Sequence, residues 1–488
     1  MPEVVCCVDV GTTQTKAALI DEQGHFVCRS GAPTPGADDG DVDHALDPDR
    51  LQTTVCGLIR GLVTEAPKHH VAAICATNQR ATLIALDGAG RALSVLSWQD
   101  PRPVDRLADL RRHMDGATYQ ALTGLPHSAM WPLAKIRWLQ RERPEVASAV
   151  HRYGLVQDDL LLRLGADAPM IDPSNASPTG LWELEGGRWC PELLALVGLS
   201  PTQLPQVVAA GSLAGTLGPA AAAAMGLATS TPLLVGGGDQ ACASLGLGVL
   251  TPGQVGLCLG TAADILAPVA GVPEPLPGRI ATDHILPGMC LLEGFLGAFG
   301  ASLDWIRSLL ATSGNGDGAA ADFDTSEEAP LFLPFLSGIA TPDFNQAVQG
   351  ALVGLTPAHG PAAIEAAVMD GLAMELRRIL GSRVATQDVT EVVVAGGGVR
   401  ARSLLRRLAD VTQVTLVAHP ESEAALLGTA AIAWYGLDMF DNLASAVRAM
   451  NTGPGLRHEP RISPQKIAGR YARYCHWVET LLAATEAP

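Results

Sequence analysis

The stretch VVCCVDVGTTQTKAALID, residues 4–21, decides how the chain begins to fold. Mostly apolar residues lead to a turn at Gly11, and a second apolar segment follows it. This order predicts a strand, a tight turn and another strand. The same order returns in QVGLCLGTAADILAPV, residues 254–269, where the turn falls at Gly260. We therefore expect two related halves that meet near residues 246–253.

Three glycine-containing turns follow short apolar strands. They comprise Gly11, Thr12 and Thr13; Gly260 and Thr261; and Gly396, Gly397 and Gly398. Glycine has no Cβ, so its N–H group approaches an anion closely, and threonine adds a hydroxyl donor. Lys16 is placed to balance phosphate charge, and Asp9 to hold Mg²⁺ directly or through water. Because the sequence has no P-loop motif and no GxGxxG motif that opens a βαβ unit, these turns predict a different kind of phosphate site.

Asp239 follows three glycines at the end of a predicted strand and precedes a helix of small residues, 240–246. A carboxylate at this place could accept the proton of a substrate hydroxyl as its oxygen attacks the γ-phosphorus of a nucleotide. Alternatively, Asp239 could serve only as the N-cap of the helix that follows. The pattern leaves both roles open.

Predicted strands alternate with predicted helices in both halves, which indicates an α/β fold. Residues 31–49 are rich in Gly, Pro and Asp and predict an exposed loop, whereas residues 104–235 predict mainly helices. Pro420 is expected to open a helix whose first turn carries Glu421 and Glu423, close to the positive end of the helix dipole.

Composition limits the class of protein. The chain has 488 residues, 48% of them hydrophobic, which predicts large cores and more than one domain. Its 33 basic and 50 acidic residues give a net charge of −17, which argues against binding to nucleic acid or to anionic membranes. The ten cysteines form no metal-binding pattern, and the sequence has no long apolar span. Its first residues, MPEVVCCVDV, have no basic region, so we expect no secretory signal. We therefore expect a cytoplasmic protein with reduced thiols.

Four motifs, in this order, resemble those of the FGGY carbohydrate kinases. They are DVGTTQTKAALID (9–21), VGGGDQACASLG (235–246), LGTAADILAPV (259–269) and VVVAGGGVRARSLLRRLAD (392–410). That family belongs to the actin, hexokinase and heat-shock-chaperone ATPase superfold. The resemblance implies two actin/hexokinase-like (ribonuclease H-like) domains, residues 1–246 and 247–488, with a catalytic cleft between them.

The resemblance also implies a role for each matching residue. Asp239 takes the place of the general base that removes the proton from the substrate hydroxyl. The other implied roles are the first phosphate loop with its metal-binding aspartate (Asp9, Gly11, Thr12, Thr13 and Lys16), the second phosphate loop (Gly260 and Thr261), the adenosine side (Gly396, Gly397 and Gly398) and polyol contacts (Arg80, Trp98 and Gln240). The implied cofactors are ATP and Mg²⁺.

The substrate side departs from the pattern of the glycerol kinases. The segment TNQRATLIALDGAGRALSVLSWQDPR, residues 77–102, resembles that branch, but Ala81 stands in place of a glutamate. Met130 falls near the position of a tyrosine, and Asp264 at that of a phenylalanine. Losing one carboxylate and two rings while gaining Asp264 changes the shape and polarity of the pocket. We therefore expect Met130 and Asp264 to contact a pentulose, a hexulose or a longer polyol. The Met-His pair of the xylulokinases is missing as well.

The expected activity is ATP- and Mg²⁺-dependent phosphorylation of a hydroxyl of a small sugar or polyol, with a homodimer as a candidate assembly. The alternatives are glycerol kinase proper, a catalytically silent homologue that senses a sugar, and a nucleotide-dependent chaperone or scaffold of the same superfold. The NQR and WQD segments argue against a chaperone. The presence of both Asp9 and Asp239 argues against a silent homologue.

Overall fold

The computed structural model describes residues 1–36, 45–310, 326, 328–381, 389–451, 453 and 455–486. Its strands are β1 (Glu3–Val10), β2 (Gln14–Ile20), β3 (Phe26–Pro33), β4 (His70–Asn78), β5 (Leu83–Leu86), β6 (Ala92–Leu96), β7 (Arg152–Gly154), β8 (Met170–Ile171), β9 (Trp182–Glu183), β10 (Arg188–Trp189), β11 (Gln206–Val207), β12 (Leu213–Thr216), β13 (Pro232–Gly238), β14 (Gly256–Leu259), β15 (Ala263–Ala270), β16 (Ile280–Asp283), β17 (Met289–Leu296), β18 (Leu331–Leu333), β19 (Ala351–Val353), β20 (Glu391–Ala395), β21 (Thr415–Ala418) and β22 (Leu456–His458). Its α-helices are α1 (Pro48–Glu65), α2 (Leu107–His113), α3 (Gly116–Thr123), α4 (Pro132–Glu142), α5 (Pro144–Ala149), α6 (Val156–Leu164), α7 (Pro173–Ala176), α8 (Pro191–Val197), α9 (Pro219–Met225), α10 (Asp239–Gly246), α11 (Phe299–Leu309), α12 (Pro361–Ile379), α13 (Arg402–Thr412), α14 (Ala424–Gly436), α15 (Leu443–Met450) and α16 (Pro464–Glu486).

Two large sheets share one strand order. The first sheet runs β12-β13-β4-β1-β2-β3, and the second runs β16-β17-β15-β14-β20-β21-β22. In each sheet three antiparallel strands (β1, β2, β3; β14, β15, β17) continue into two parallel ones (β4, β13; β20, β21). The structure thus confirms the α/β fold and the predicted repetition of residues 4–21 by residues 254–269.

Both faces of the first sheet are buried, which explains why β1 is almost continuously apolar. On one face Val4, Cys6 and Val8 pack in a core with helix α1. On the other face Val5 and Cys7 pack in a second core that includes helix α14. Since α14 comes from the C-terminal half of the chain, the second core joins the two halves.

Helices α10 and α14 cross where the halves meet. Gly246 of α10 lies against the backbone of Ala424, and Gly428 of α14 lies against the carbonyl group of Cys242. A Cβ atom at either glycine would collide with that backbone. The close approach of the two helices therefore requires glycine at both positions.

The structure corrects the prediction for residues 104–235, which contain the short strands β7 to β12 as well as helices. These strands have two to four residues each, and segments so short carry little periodic signal. Strand β3 extends to Pro33, into the predicted loop 31–49. Residues 37–44 of that predicted loop lie outside the described residues.

The prediction that a helix opens at Pro420 was wrong, because α14 begins at Ala424. The carboxylate of Glu421 accepts a hydrogen bond from the backbone N–H of Glu423 at 2.9 Å, so this segment forms a turn before the helix. Both acidic residues precede the helix and are free to form ion pairs with the N-terminal half. Among the described residues, no helix has both the length and the apolar composition needed to cross a bilayer.

The crossing of α10 and α14 generates a prediction with an internal control. In Gly428→Ala the new methyl group meets the backbone of α10, so we expect the free energy of unfolding to fall by about 1–3 kcal/mol. In Gly57→Ala, within α1, the methyl group meets nothing within 4 Å, and the free energy of unfolding should rise by about 0.5–1 kcal/mol. Urea denaturation of the two variants measures both effects. Equal shifts in the two variants would contradict the proposed close packing.

Candidate functional site

The candidate site lies at the carboxyl ends of parallel strands. In the first sheet Asp9 is aligned with Thr77, and Gly238 with Asn78, so Asp9 and Asp239 lie at one edge. Ligand sites in α/β sheets usually lie at this edge.

The second sheet presents its glycine turns at the matching edge. Cys258 is aligned with Ala395, which brings the turn after β14 next to the turn after β20. Gly396 has a φ of 96°, and a Cβ there would collide with the backbone of Leu259. The Gly396–Gly398 turn therefore lies beside Gly260, as the two predicted nucleotide turns require.

A cavity of about 410 Å³ lies between the two edges. The predicted site residues that line it are Gly11, Thr12, Thr13, Arg80, Trp98, Met130, Asp239, Gln240, Gly260, Thr261 and Asp264. The predicted residues Asp9, Lys16, Gly396, Gly397 and Gly398 lie outside this lining. A backbone hydrogen bond closes each of the first two glycine turns: Gly11 N–H donates to the carbonyl oxygen of Gln14 at 3.0 Å, and Gly260 N–H to that of Ala262 at 2.9 Å. The structure thus brings together the two turns and Asp239.

Arg80 joins the two halves in the wall of the cavity. Its Nε donates to Asp239 Oδ1 at 3.2 Å, and its two Nη atoms donate to the two carboxylate oxygens of Glu293 at 2.9 and 2.5 Å. Arg80 does not pair with Asp100, although the two residues lie in neighbouring segments of the chain. The carboxylate of Asp100 binds Arg102 at 2.6 Å.

Trp98 links the first glycine turn to the opposite wall. Its indole Nε1 donates to the hydroxyl oxygen of Thr12 at 2.8 Å. Its ring meets the ring of Phe295 edge to face, with the centroids 5.8 Å apart. Two aromatic rings at this angle leave apolar faces toward the cavity, and such faces suit the C–H surfaces of a sugar.

Two cavity residues that the sequence analysis missed lie on β17. Glu293 supplies a carboxylate next to Arg80, and Phe295 lies directly opposite Asp264 in the strand ladder. Glu293 brings to the cavity a carboxylate of the kind that position 81 lacks, and Phe295 brings a ring of the kind that position 264 lacks. The available signal was a single charged residue in the otherwise apolar strand MCLLEGFL, because charge is rare inside a buried strand unless it has a partner.

Gln240 presents an unpaired hydrogen-bond acceptor. Its side-chain amide hydrogen-bonds Asp264, whereas its Oε1 is buried and has no partner among the described residues. Burying a carbonyl oxygen without a donor is unfavourable. A ligand hydroxyl could supply that donor, so this position favours a hydroxylated ligand.

Burial and mutual repulsion raise the pKa values of the carboxyl groups around the cavity. Burial, followed by repulsion from Asp239, raises the pKa of Asp9 to about 7. Burial, with repulsion from Asp239 and Glu293, raises the pKa of Asp264 to about 8. Burial raises the pKa of Asp239 as well, against the opposing effect of Arg80. Burial is the largest cause of each shift, and the neighbouring carboxylates add a negative potential at the site.

Asp9 suits a magnesium ion that is shared with phosphate groups. Asp239 lies close enough to raise the pKa of Asp9, and a divalent cation at Asp9 would relieve that repulsion. Mg²⁺ is commonly held by one or two carboxylates together with water and phosphate oxygens. Among the described residues, no group of three or more His, Cys, Asp or Glu side chains could hold a metal ion.

Lys16 forms an ion pair with the C-terminal half. Its Nζ donates to both carboxylate oxygens of Glu423, at 3.0 and 2.8 Å. Glu423 immediately precedes α14, so this pair connects β2 with the second half of the chain. Contact of Lys16 with phosphate stays a prediction, and the phosphate would compete with Glu423 for the ammonium group.

Lys135 fixes the wall of the cavity from behind and was also missed by the sequence analysis. It is fully buried, and its Nζ donates to the carbonyl oxygens of Ala81, at 2.7 Å, and Met130. Burial lowers the pKa of Lys135 to about 7. Ala81 has a φ of 61°, which is unfavourable for a residue with a Cβ. Lys135 thus holds together two of the three wall residues at which the chain departs from the pattern of the glycerol kinases.

A two-domain α/β protein with two glycine turns and an aspartate around an interdomain cavity has the architecture of the actin/hexokinase-like phosphotransferases. The chain belongs to the FGGY family of carbohydrate kinases. The N-terminal domain of that family matches residues 4–246, and its C-terminal domain matches residues 255–437. The protein is therefore an enzyme of the carbohydrate kinase class.

Individual relatives span nearly the whole chain. The gluconokinase of Bacillus subtilis (strain 168) is 25% identical over 472 residues, which cover 93% of this chain and 91% of the relative. A glycerol kinase of Ectopseudomonas mendocina is 29% identical over 504 residues, or 99% of each chain. The crystal structure of a xylulose kinase from Rhodospirillum rubrum superposes with a TM-score of 0.84 at 26% identity, and covers 99% of this chain and 100% of that one.

The raised pKa of Asp264 predicts a pH-dependent effect of Asp264→Asn on stability. The folded protein retains the proton up to about pH 8, whereas the unfolded carboxyl group releases it near 3.8. The Asp264 group therefore destabilises the fold progressively as the pH rises through this interval. We expect the Tm of the variant, relative to wild type, to rise from pH 4 to pH 8 and then level off.

Thermal melting across that pH range measures this difference. Asp304→Asn serves as the control, since Asp304 is an exposed residue of α11. A Tm difference for Asp264→Asn that is independent of pH would mean that this carboxyl group does not experience the negative potential described above.

Proposed function

We propose that the protein transfers the γ-phosphoryl group of ATP to a hydroxyl of a small sugar or polyol, with Asp239 as the general base. The observation that carries this proposal is the cavity that holds Asp239 between the Gly11–Thr13 turn and the Gly260–Thr261 turn. A nucleotide phosphate at these turns and a hydroxyl at Asp239 would face each other across that space. Membership in the carbohydrate kinase family supports the same assignment.

In the proposed reaction the acceptor hydroxyl binds to Asp239 and transfers its proton to that carboxylate. The acceptor oxygen forms a bond to the γ-phosphorus as the bond to the bridging oxygen of ADP breaks. Asp239 is well placed because Arg80 donates to its Oδ1, which orients the carboxylate. The raised pKa of Asp239 makes it a stronger base than an exposed aspartate.

Backbone N–H groups of the two turns would stabilise the negative charge of the phosphates. Asp9 would hold Mg²⁺, which neutralises phosphate charge when it is bound. The Gly396–Gly398 turn would receive the adenosine, since it packs against Leu259 and so lies next to the Gly260–Thr261 turn. Closure of the two domains would exclude water and so limit wasteful hydrolysis of ATP.

For the acceptor we propose a pentulose, a hexulose or a polyol longer than glycerol. The relatives are named gluconokinase, glycerol kinase and xylulose kinase, and the acceptors in these names have three to six carbon atoms. Gln240 Oε1 and the carboxyl of Asp264 add polar partners for further hydroxyls. The domain boundary at residues 246–247 and a homodimer stay predictions.

Replacement of Asp239 tests the base. We expect Asp239→Asn to lower kcat at least ~10²-fold with a smaller change in the KM for ATP, since the loss concerns proton transfer. ADP release is measured with Mg²⁺, ATP and a panel of ketoses and polyols. The control is Asp304→Asn, which should retain wild-type kcat because Asp304 lies on the surface of α11.

Several outcomes would contradict the proposal. Unchanged kcat in Asp239→Asn would remove Asp239 from the chemistry. ATP turnover that ignores every polyol but increases with peptide would support the chaperone alternative. Calorimetric binding of a sugar without any turnover would support a silent sensor.

A further inference from the structure

Among the described residues that line the cavity, Arg80 is the one positively charged side chain, and carboxylates of the protein neutralise it. Among the described lining residues the charged groups are Arg80, Asp239, Asp264 and Glu293. The guanidinium of Arg80 is held by the carboxylate of Glu293 through two hydrogen bonds and by Asp239 through a third. A ligand carboxylate in this cavity would therefore meet no uncompensated positive charge.

Glu293 is fixed in this role by its surroundings. It lies on β17 with its side chain largely buried, and its Oε1 also accepts a hydrogen bond from the hydroxyl of Thr282 at 2.6 Å. A carboxylate with three donors at fixed positions keeps a defined geometry. Since Arg80 belongs to the N-terminal half and Glu293 to the C-terminal half, the pair also defines the width of the cavity.

We propose that Glu293 makes the acceptor site selective for uncharged sugars and polyols over aldonates, the corresponding polyhydroxy acids, because it neutralises Arg80. This inference rests on the proposed function and narrows its acceptor class. It is independent of the name gluconokinase carried by one relative, because it derives from the charges of this cavity.

The resident carboxyl group of Asp264 supports the inference. It lies in the same cavity, and the negative potential from Asp239 and Glu293 disfavours its ionised form. An acceptor carboxylate beside it would experience the same repulsion. A larger chamber of about 890 Å³ adjoins the cavity at Trp98 and Phe295, and its lining includes Arg111. Arg111 is exposed to solvent, so it would attract an anion only weakly.

The experiment compares acceptors that differ only in charge. Glucitol and gluconate form one pair, and xylitol and xylonate form another, because the members of each pair share chain length and configuration. Dissociation constants are measured by calorimetry without nucleotide, and ADP release is measured with MgATP. We expect the neutral member to bind at least ~10-fold more tightly in wild-type protein.

The variant Glu293→Gln keeps the side-chain shape and removes the carboxylate that binds Arg80 through two hydrogen bonds, so that Arg80 keeps its one hydrogen bond to Asp239. We expect the ratio of aldonate to alditol affinity to rise at least ~10-fold relative to wild type. Asp304→Asn, a surface charge change of the same size, should leave that ratio unchanged. Thermal melting checks the folding of each variant, and Asp264→Asn at pH 9 provides a second test if Glu293→Gln is unstable.

The outcomes separate the inference from the proposed function. If wild-type protein binds and phosphorylates an aldonate as well as its neutral partner, the inference is wrong and the proposed function stands. If neutral acceptors bind preferentially but none promotes ADP release, the inference stands and the proposed function fails. Binding by no member of either series would contradict the inference, and the proposed function would then depend on the ketoses as acceptors. A ratio that Glu293→Gln does not change would remove Glu293 as the determinant.

Discussion

The arrangement of the site depends on the guanidinium of Arg80, which lies between Asp239 and Glu293. The three side chains come from the end of β4, the start of α10 and the middle of β17. Removing one partner of a buried charge pair typically costs about 3–5 kcal/mol, because the remaining charge stays buried. The same contacts orient the carboxylate of Asp239 and connect the two halves across the cavity. The contacts of Arg80 therefore determine the orientation of Asp239, the charge balance of the cavity and the connection between the two halves.

A buried polar network supports Asp239 from behind. The backbone N–H of Gly238 donates to Ser174 Oγ at 2.9 Å, and the Ser174 hydroxyl donates to Asp172 at 2.5 Å. Asn175 also donates to Asp172, at 2.9 Å, and accepts from Asn78 at 3.1 Å. These bonds tie the ends of β4 and β13 to the segment around α7. These hydrogen bonds restrain the local geometry, which catalysis by positioning requires.

Local features of the sequence predicted much of the fold and part of the site. The turn at Gly11 and the three glycines before Asp239 follow apolar strands directly, so the sequence order already fixes their place at a sheet edge. The contacts of Glu293 and Phe295 depend on how β17 pairs with β15, which is a long-range register. The role of Lys135 could not be predicted for another reason. The amphipathic pattern of helix α4 does not indicate that the ammonium group points inward to two carbonyl groups.

The short strands between residues 104 and 235 and the start of α14 were missed for reasons of length and local bonding. Strands of two to four residues form only because neighbouring segments supply their partners. The residues after Pro420 satisfy the helix-start pattern, yet Glu421 bonds to the backbone of Glu423 and delays the helix. Side-chain competition for backbone donors is decided in the folded protein.

The most direct test of the account is where the phosphoryl group goes. Phosphorus NMR of the protein with MgATP and a neutral polyol or ketose follows every phosphorus atom during the reaction. The account predicts that the γ-phosphorus signal is replaced by that of a phosphate monoester on the acceptor, together with ADP. Appearance of inorganic phosphate alone, at a rate that no acceptor changes, would contradict it.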